Sequence, residues 1–166
     1  MNTLRTAFLA LFLIGLIAAP PAQAQTSWEL GPYLGLNFDN DEILLGGVAR
    51  IHLPSTPITL NPGIDFYPGI NDTGGGLSRS LFVLNFDGQY QIEAESLEPY
   101  VGAGISWSRL STDTQDSVTD LGLNIKGGLL FNRRGSAQPY AEAVINFDGG
   151  VDPFILKAGL LFVIGE

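Results

Sequence analysis

Hydrophobic residues alternate with polar or small residues along almost the whole chain after residue 27. The last stretch, 153–166, shows the pattern most clearly, because every second position in it is apolar. Successive side chains of a β-strand point to opposite faces, so a period of two predicts a strand. A terminal strand with an unpaired edge would leave backbone groups without partners. We therefore expect the last strand to pair with the first and to close a barrel. The apolar set of the last strand is Phe154, Leu156, Ala158, Leu160, Phe162 and Ile164.

The same alternation predicts seven further strands, which are separated by segments rich in Gly, Pro, Asn and Asp. They cover residues 28–38, 42–53, 58–67, 80–91, 99–109, 121–132 and 138–147. The longest predicted loops are 68–78 and 111–120. Pro32 and Pro62 fall inside predicted strands, and because proline cannot donate to a β-ladder, they suggest bulges or strand ends.

The length of these strands favours a barrel that crosses a membrane. A tilted membrane-spanning strand needs about 9 to 11 residues, whereas strands of soluble proteins average about 5 to 6. A membrane barrel also carries its apolar face outward, toward lipid, and few charges interrupt the apolar face of this chain. The sequence thus predicts an all-β, closed, antiparallel up-and-down transmembrane barrel of about eight strands. The alternative is a soluble lipocalin-like barrel that binds an apolar ligand.

The opposite face of the predicted strands carries charges of both signs near the middle of the strands. Isolated charges in a dry interior are costly, so we expect the acidic members to pair with the basic ones and to form a polar network in the lumen. The interior of an eight-stranded barrel is just filled by side chains, which favours a plugged lumen over a porin-like pore. The charged members are Glu29, Glu42, Arg50, Asp65, Asp87, Lys126, Glu142 and Lys157, and the tyrosines expected beside them are Tyr33, Tyr67, Tyr100 and Tyr140.

The first residues have the pattern of an export signal. Arg5 precedes the apolar run 7–19, and small residues at Ala22 and Ala24 fit a cleavage site after Ala24. The run is shorter than the roughly 20 residues of a spanning helix, which disfavours a retained anchor. We expect a signal peptide at 1–24 and one barrel domain at 25–166. The chain contains no Cys, which excludes both a lipid anchor on cysteine and disulfides.

The charge of the chain limits its partners. The formal net charge is −9, which argues against binding to nucleic acid. Aspartates are concentrated in the predicted loops, where divalent cations could bridge them to lipopolysaccharide phosphates; solvated acidic loops are the simpler reading. These residues are Asp39, Asp41, Asp72, Asp113, Asp116, Asp120, Asp148 and Asp152.

Catalytic residues are scarce in the sequence. His52 is the single histidine, and it falls at the end of a predicted strand with Ser55 in the following turn. A hydrolase needs a nucleophile beside a base, and a zinc site needs several ligands, so one rim histidine supports neither. We expect a protein without enzymatic activity, without cofactors and without a metal site.

Two short phrases resemble those of a known family. The segment 99–104, PYVGAG, is similar to a strand phrase of small eight-stranded outer-membrane β-barrel proteins (OmpA/OmpX-like) of Gram-negative bacteria. Lys157, Gly159, Phe162 and Ile164 resemble the C-terminal insertion signal of that family, although this chain ends in Gly165-Glu166 rather than in an aromatic residue. The resemblance implies residence in the outer membrane, contact with its lipid and lipopolysaccharide, recognition by the barrel assembly machinery, a monomeric state, and a structural or surface-interaction role.

Overall fold

The computed structural model of the chain describes residues 27–38, 42–71, 78–92, 94, 97–112, 115–132, 135–147 and 154–165. Within these ranges, eight strands form one closed barrel, and each strand is antiparallel to both of its neighbours. The predicted fold class is thereby confirmed. The predicted signal peptide lies outside the described residues, among which no helix is long and apolar enough to cross a membrane. The strands are β1 (Trp28–Asn37), β2 (Glu42–His52), β3 (Ile58–Asn71), β4 (Ser78–Gln91), β5 (Leu97–Thr112), β6 (Gln115–Phe131), β7 (Ala137–Phe147) and β8 (Phe154–Gly165).

The barrel closes where the alternating pattern of the last strand meets that of the first. Leu30 pairs with Phe162, and Leu36 pairs with Leu156, so that the apolar faces of β1 and β8 coincide. Segments 53–57, 92–96 and 132–136 connect strands at the end of the barrel that we call the turn end. The opposite end, where β1 leads to β2 and β7 leads to β8, is called the loop end.

Pro32 and Pro62 lie inside continuous strands, so the expectation of bulges or strand ends at these positions was wrong. Pro32 pairs with Gly47 of β2, and the β1–β8 register is the same on either side of it. Pro62 pairs with Phe86 of β4, and the β2–β3 register is likewise unchanged across it. Each proline is paired with one neighbouring strand only, which fits a residue that has no N–H to donate.

The four central strands are longer than the sequence pattern indicated. Residues 68–71 belong to β3, and residues 115–120 belong to β6, although both segments were predicted to lie in loops. Ser78, Ser111 and Thr112 are likewise strand residues. The reason is that β3, β4, β5 and β6 pair with one another beyond the point where their outer face stops being apolar. A strand that is polar on both faces gives no period-two signal.

The two faces of the barrel wall differ in composition. Alternate residues of β1 are exposed and buried along its whole length, and β7 repeats this pattern. The exposed set is apolar and includes Leu34, Ile105, Leu123 and Ile145. The buried set contains most of the charged residues of the strands and four of the tyrosines.

Three tyrosine rings are packed over glycines of neighbouring strands. A methyl group added at Gly46 would meet the ring of Tyr33, and one added at Gly128 would meet the ring of Tyr100 and the carbonyl oxygen of Ala141. Gly159 lies in the same way against Tyr140. A side chain at these positions would displace the rings from the barrel interior, so glycine sets the space that the aromatic residues fill.

We expect Gly128→Ala to destabilise the barrel by about 1–3 kcal/mol, because it overpacks a filled interior. Gly127→Ala is the matched control, since a methyl group there meets only the carbonyl oxygen of Tyr100, at 3.8 Å. Urea unfolding of the refolded barrel measures both variants. Equal stabilities for the two variants would contradict the packing of Tyr100 over Gly128.

Candidate functional site: the charged lumen

Asp65 on β3 is the centre of one cluster in the barrel interior. Lys157 of β8 places its Nζ 3.1 and 3.0 Å from the two carboxylate oxygens of Asp65. Asn85 donates to Oδ2 at 2.8 Å, and the hydroxyl of Tyr33 donates to Oδ1. The Lys157 ammonium also lies 4.9 Å from the centre of the Tyr33 ring. Asp65 is therefore a buried carboxylate with a cation and two neutral donors.

Lys126 on β6 is the centre of a second cluster. Its Nζ lies 2.5 Å from Asp87 Oδ2 and 3.4 Å from Glu142 Oε1, and all three side chains are buried. The other oxygen of Glu142 accepts hydrogen bonds from Tyr100 Oη at 3.1 Å and from Gln89 Nε2 at 3.3 Å. One ammonium therefore lies between two carboxylates, and neutral donors supply the remaining hydrogen bonds. Buried charges generally require such pairing.

Arg50 provides a third buried cation in the lumen, and it lies against aromatic rings. We call Arg50 and the two clusters around Asp65 and Lys126 together the charged belt. Its guanidinium carbon is 4.5 Å from the centre of the Tyr100 ring and 5.3 Å from that of Tyr140. Cations are attracted to the faces of aromatic rings, most strongly where water is excluded. Among the described residues, Arg50 Nε and Nη1 have no hydrogen-bond partner. Two tyrosine rings are therefore the described neighbours of the Arg50 guanidinium.

The remaining predicted members of the network lie toward the two ends. Glu29 is opposite Arg50 in the β1–β2 register, and its Oε1 is 3.1 Å from Nε2 of His52. His52, the single histidine of the sequence, therefore lies against Glu29 at the end of β2. Glu42 begins β2 at the loop end, beside Asn37, and is only half-buried. The structure therefore brings five of the eight predicted charges together in the two clusters, Asp65, Asp87, Lys126, Glu142 and Lys157, with Arg50 alongside.

Apolar side chains fill the lumen between the charged belt and the loop end. Leu44, Tyr67, Val83 and Ile155 are almost completely buried there, and they pack in one cluster with Leu81 and Val144. The belt itself encloses a cavity of about 10 Å³, which is bordered by Arg50, Lys126 and Lys157 among others. That is about the volume that one water molecule needs. Side chains therefore fill the lumen both at the charged belt and between the belt and the loop end.

The described residues do not form a metal-binding arrangement. No group of three or more acidic or histidine side chains in these ranges is placed to hold a metal ion. His52 contacts Glu29, and Ser55 lies in the following turn with a φ of 60°.

Several polar members of the lumen were missed by the sequence analysis as network residues. Asn85 and Gln89 donate to one carboxylate in each cluster, and Glu98 is buried in β5 although the predicted strand begins only at residue 99. Asn85 and Gln89 lie at inward-facing positions of β4, and the alternation of that strand was the signal that could have identified them. Glu98 had no such signal, because it precedes the first residue of the predicted strand.

The four residues that resemble a C-terminal insertion signal lie on both faces of β8. Lys157 points into the lumen, and Gly159 lies against Tyr33 and Tyr140. Phe162 and Ile164 are exposed on the outer wall.

The fold and its filled interior define the class of this protein, a small closed β-barrel with eight strands in the described part of the chain. The N-terminal β-barrel domain of OprF from Pseudomonas aeruginosa is similar, with a TM-score of 0.67 and 19% identity over 84% of this chain and 98% of that chain. Neisserial surface protein A gives a TM-score of 0.61 and 16% identity, over 84% and 96% of the two chains. A major outer membrane protein of Thermus thermophilus gives 0.60 and 14%, over 84% and 99%.

These similarities confirm the resemblance to small outer-membrane barrels at the level of the fold. No protein-family model matches the chain, and the search of curated proteins found no match.

Proposed function

We propose that this protein is an outer-membrane β-barrel without enzymatic activity, which has a structural or surface-interaction role. The observation that carries the proposal is the inversion of the wall, with charges paired inside and apolar residues exposed outside. A barrel that folds in water would place its charges on the outside, whereas a barrel in lipid requires an apolar outer band. The similar proteins support this location, since two of the three have outer membrane or surface in their names.

The outer wall of β8 supports the further proposal that the chain is inserted by the barrel assembly machinery. Phe162 and Ile164 are accessible on the outside of the last strand, while Lys157 is withdrawn into the lumen. We propose that the exposed pair forms the recognisable part of the insertion signal. The inserted barrel is proposed to be a monomer in contact with lipid and lipopolysaccharide.

The packed interior supports a barrel that neither conducts ions nor carries a ligand. A lipocalin-like carrier needs space for its ligand, and the cavity inside the charged belt has a volume of only about 10 Å³. The apolar cluster around Leu44 and Ile155 fills the lumen nearer the loop end. These observations favour a role for the outer surfaces of the barrel over a role for its lumen.

Labelling of single cysteines in intact cells tests the proposed location and orientation. The chain has no Cys, so Ser111→Cys at the loop end and Ser136→Cys at the turn end each introduce one thiol at an exposed position. A membrane-impermeant maleimide should label Ser111→Cys in intact cells and should label Ser136→Cys only after lysis. Protection of both thiols until lysis would contradict exposure of the loop end at the cell surface.

A further inference from the structure

The small cavity in the lumen is bordered by both clusters of the charged belt and by Arg50. Its volume is about 10 Å³, and the side chains at its border include Arg50, Asp87, Gln89 and Lys126. A cavity of this size holds about one water molecule, provided that polar groups are placed to bind it. The hydrogen-bonding groups at the border therefore decide what the cavity can hold.

Arg50, which borders the cavity, has two unused hydrogen-bond donors. In the part of the chain that the structure describes, its Nε and Nη1 have no hydrogen-bond partner, although the residue is only 1% exposed. The faces of the Tyr100 and Tyr140 rings attract the charge of the guanidinium. Buried N–H groups nevertheless almost always have an acceptor, which is a protein atom or an ordered water.

Asp87 and Gln89 provide two unused acceptors at the same border. Asp87 Oδ2 contacts Lys126 Nζ at 2.5 Å, whereas Oδ1 is buried and has no described partner. Gln89 donates through Nε2 to Glu142, and this contact defines which end of the amide is the oxygen. The oxygen, Oε1, is also buried without a described partner. Donors and acceptors that lack partners therefore lie around one cavity.

These groups match the hydrogen bonding of a water molecule. A buried water makes roughly two to four hydrogen bonds and acts as both acceptor and donor. At this place it accepts from the guanidinium of Arg50 and donates to Asp87 Oδ1 and Gln89 Oε1. An anion would face the carboxylate of Asp87, and a cation would face the guanidinium, so neither ion suits all of the groups.

The charges of the belt also favour a neutral ligand. The belt contains three cations and three carboxylates, so its formal charge is zero without a further ion. An added ion would leave an unbalanced charge in a buried site, which is costly. The cations are Arg50, Lys126 and Lys157, and the carboxylates are Asp65, Asp87 and Glu142.

We propose that the charged belt binds one resident water molecule, which accepts a hydrogen bond from Arg50 and donates to Asp87 and Gln89. The water links Arg50 on β2 to the cluster around Lys126, so that the two form one hydrogen-bonded network across the lumen. Because the site lies inside the barrel, this inference does not depend on the location or the role that we propose for the protein.

Proton NMR of the refolded barrel, with ¹⁵N in its arginine side chains, tests the proposal. The assigned Nε–H of Arg50 should give cross-peaks to water that have opposite signs in NOE and ROE spectra, as a resident water does. Exchange of the proton with solvent gives the same sign in both spectra. A spectrum without the cross-peak, or with the exchange signature alone, would overturn the proposal.

Substitution of Gly63 tests the place of the water. Gly63 borders the cavity, and the nearest atom to a methyl group added there is the carbonyl oxygen of Gly47, at 3.5 Å. The methyl group of Gly63→Ala should therefore occupy the space of the water without moving the wall, and the cross-peak should disappear. A cross-peak of wild-type intensity in this variant would overturn the assignment of the water to this cavity.

Gly47→Ala is the matched control, because it adds the same methyl group outside the cavity. The nearest atom to that methyl group is Cγ2 of Ile64, at 3.7 Å, and Ile64 is exposed on the outer wall. This variant should keep the cross-peak. Its loss in Gly47→Ala as well would show that the signal does not report the cavity, and this result would also overturn the assignment. Heat-modifiable migration shows that each variant has folded before its spectra are compared.

A crystal structure of the barrel distinguishes water from an ion. At a resolution that shows ordered waters, one density peak should lie about 2.7–3.2 Å from a nitrogen of Arg50 and from Asp87 Oδ1. Crystals soaked in bromide should give no anomalous signal at this position. An anomalous peak there would identify an anion site and would overturn the proposal.

Discussion

Replacing Lys157 with Met should destabilise the barrel by about 3–5 kcal/mol, because the substitution leaves the buried carboxylate of Asp65 without its cation. Lys157 Nζ lies within 3.1 Å of both oxygens of Asp65, on a strand far away in the sequence. Asn85 and Tyr33 would still donate to the carboxylate, but neutral donors do not cancel its charge. Urea unfolding in phospholipid vesicles, followed by the fluorescence of Trp28 and Trp107, measures the loss.

Two further variants show whether the loss comes from the buried pair. Arg109→Met removes an exposed cation whose described hydrogen bond is to Ser117, and it should change the stability by no more than about 0.5 kcal/mol. The double variant Asp65→Asn with Lys157→Met removes both charges and should recover most of the stability lost in Lys157→Met. If the double variant is as unstable as the single variant, the stability lost in Lys157→Met comes from the packing of the lysine side chain and not from its charge.

Replacing Leu34 with Arg should destabilise the inserted barrel by about 2–4 kcal/mol, the usual cost of a cation on the lipid face near the bilayer midplane. Leu34 is 57% exposed in the middle of β1, between Leu45 of β2 and Ala158 of β8. Ser111→Arg is the control, because that residue is exposed beyond the apolar band. In a barrel surrounded by water, both substitutions would change the stability by only about 0.5 kcal/mol. The difference between the two variants in vesicles therefore distinguishes lipid from water at the outer wall.

The strands and the composition of their faces could be predicted from the sequence because the signal is local. Strict alternation in β1, β7 and β8 defines which residues are buried, and the exclusion of charges from the other face indicates a closed barrel in lipid. The pairing of the first strand with the last was predicted because each would otherwise leave the backbone groups of one edge without partners. Each of these steps needs only neighbouring residues and the geometry of a strand.

The contacts of the lumen could not be predicted in detail because they join distant strands. Lys157 and Asp65 are 92 residues apart, and Tyr100 and Glu142 are 42 residues apart. Parity places such residues inside the barrel, but strand tilt and the register decide which of them meet. Arg50 is an example, since its guanidinium lies against the rings of Tyr100 and Tyr140, and strand parity alone did not indicate these contacts.

The ends of the strands were the other part that the sequence did not reveal. Residues 115–120 read as a polar loop because neither face is apolar, yet they continue the ladder with β5. Inter-strand hydrogen bonds stabilise such a segment without any hydrophobic pattern. The prolines led to the opposite error, because bulges or strand ends were predicted where the strands continue. At Pro32 and at Pro62, pairing with one neighbouring strand is interrupted, and the strand itself is not.

Cell fractionation followed by gel migration tests the central claim most directly, namely that this chain is a closed barrel of the outer membrane. The mature protein should be found in the outer-membrane fraction. It should also migrate differently in a denaturing gel before and after heating, because a closed barrel resists detergent until it is heated. A soluble protein whose migration does not depend on heating would contradict the account and would require charges on the outside of the fold with apolar residues inside.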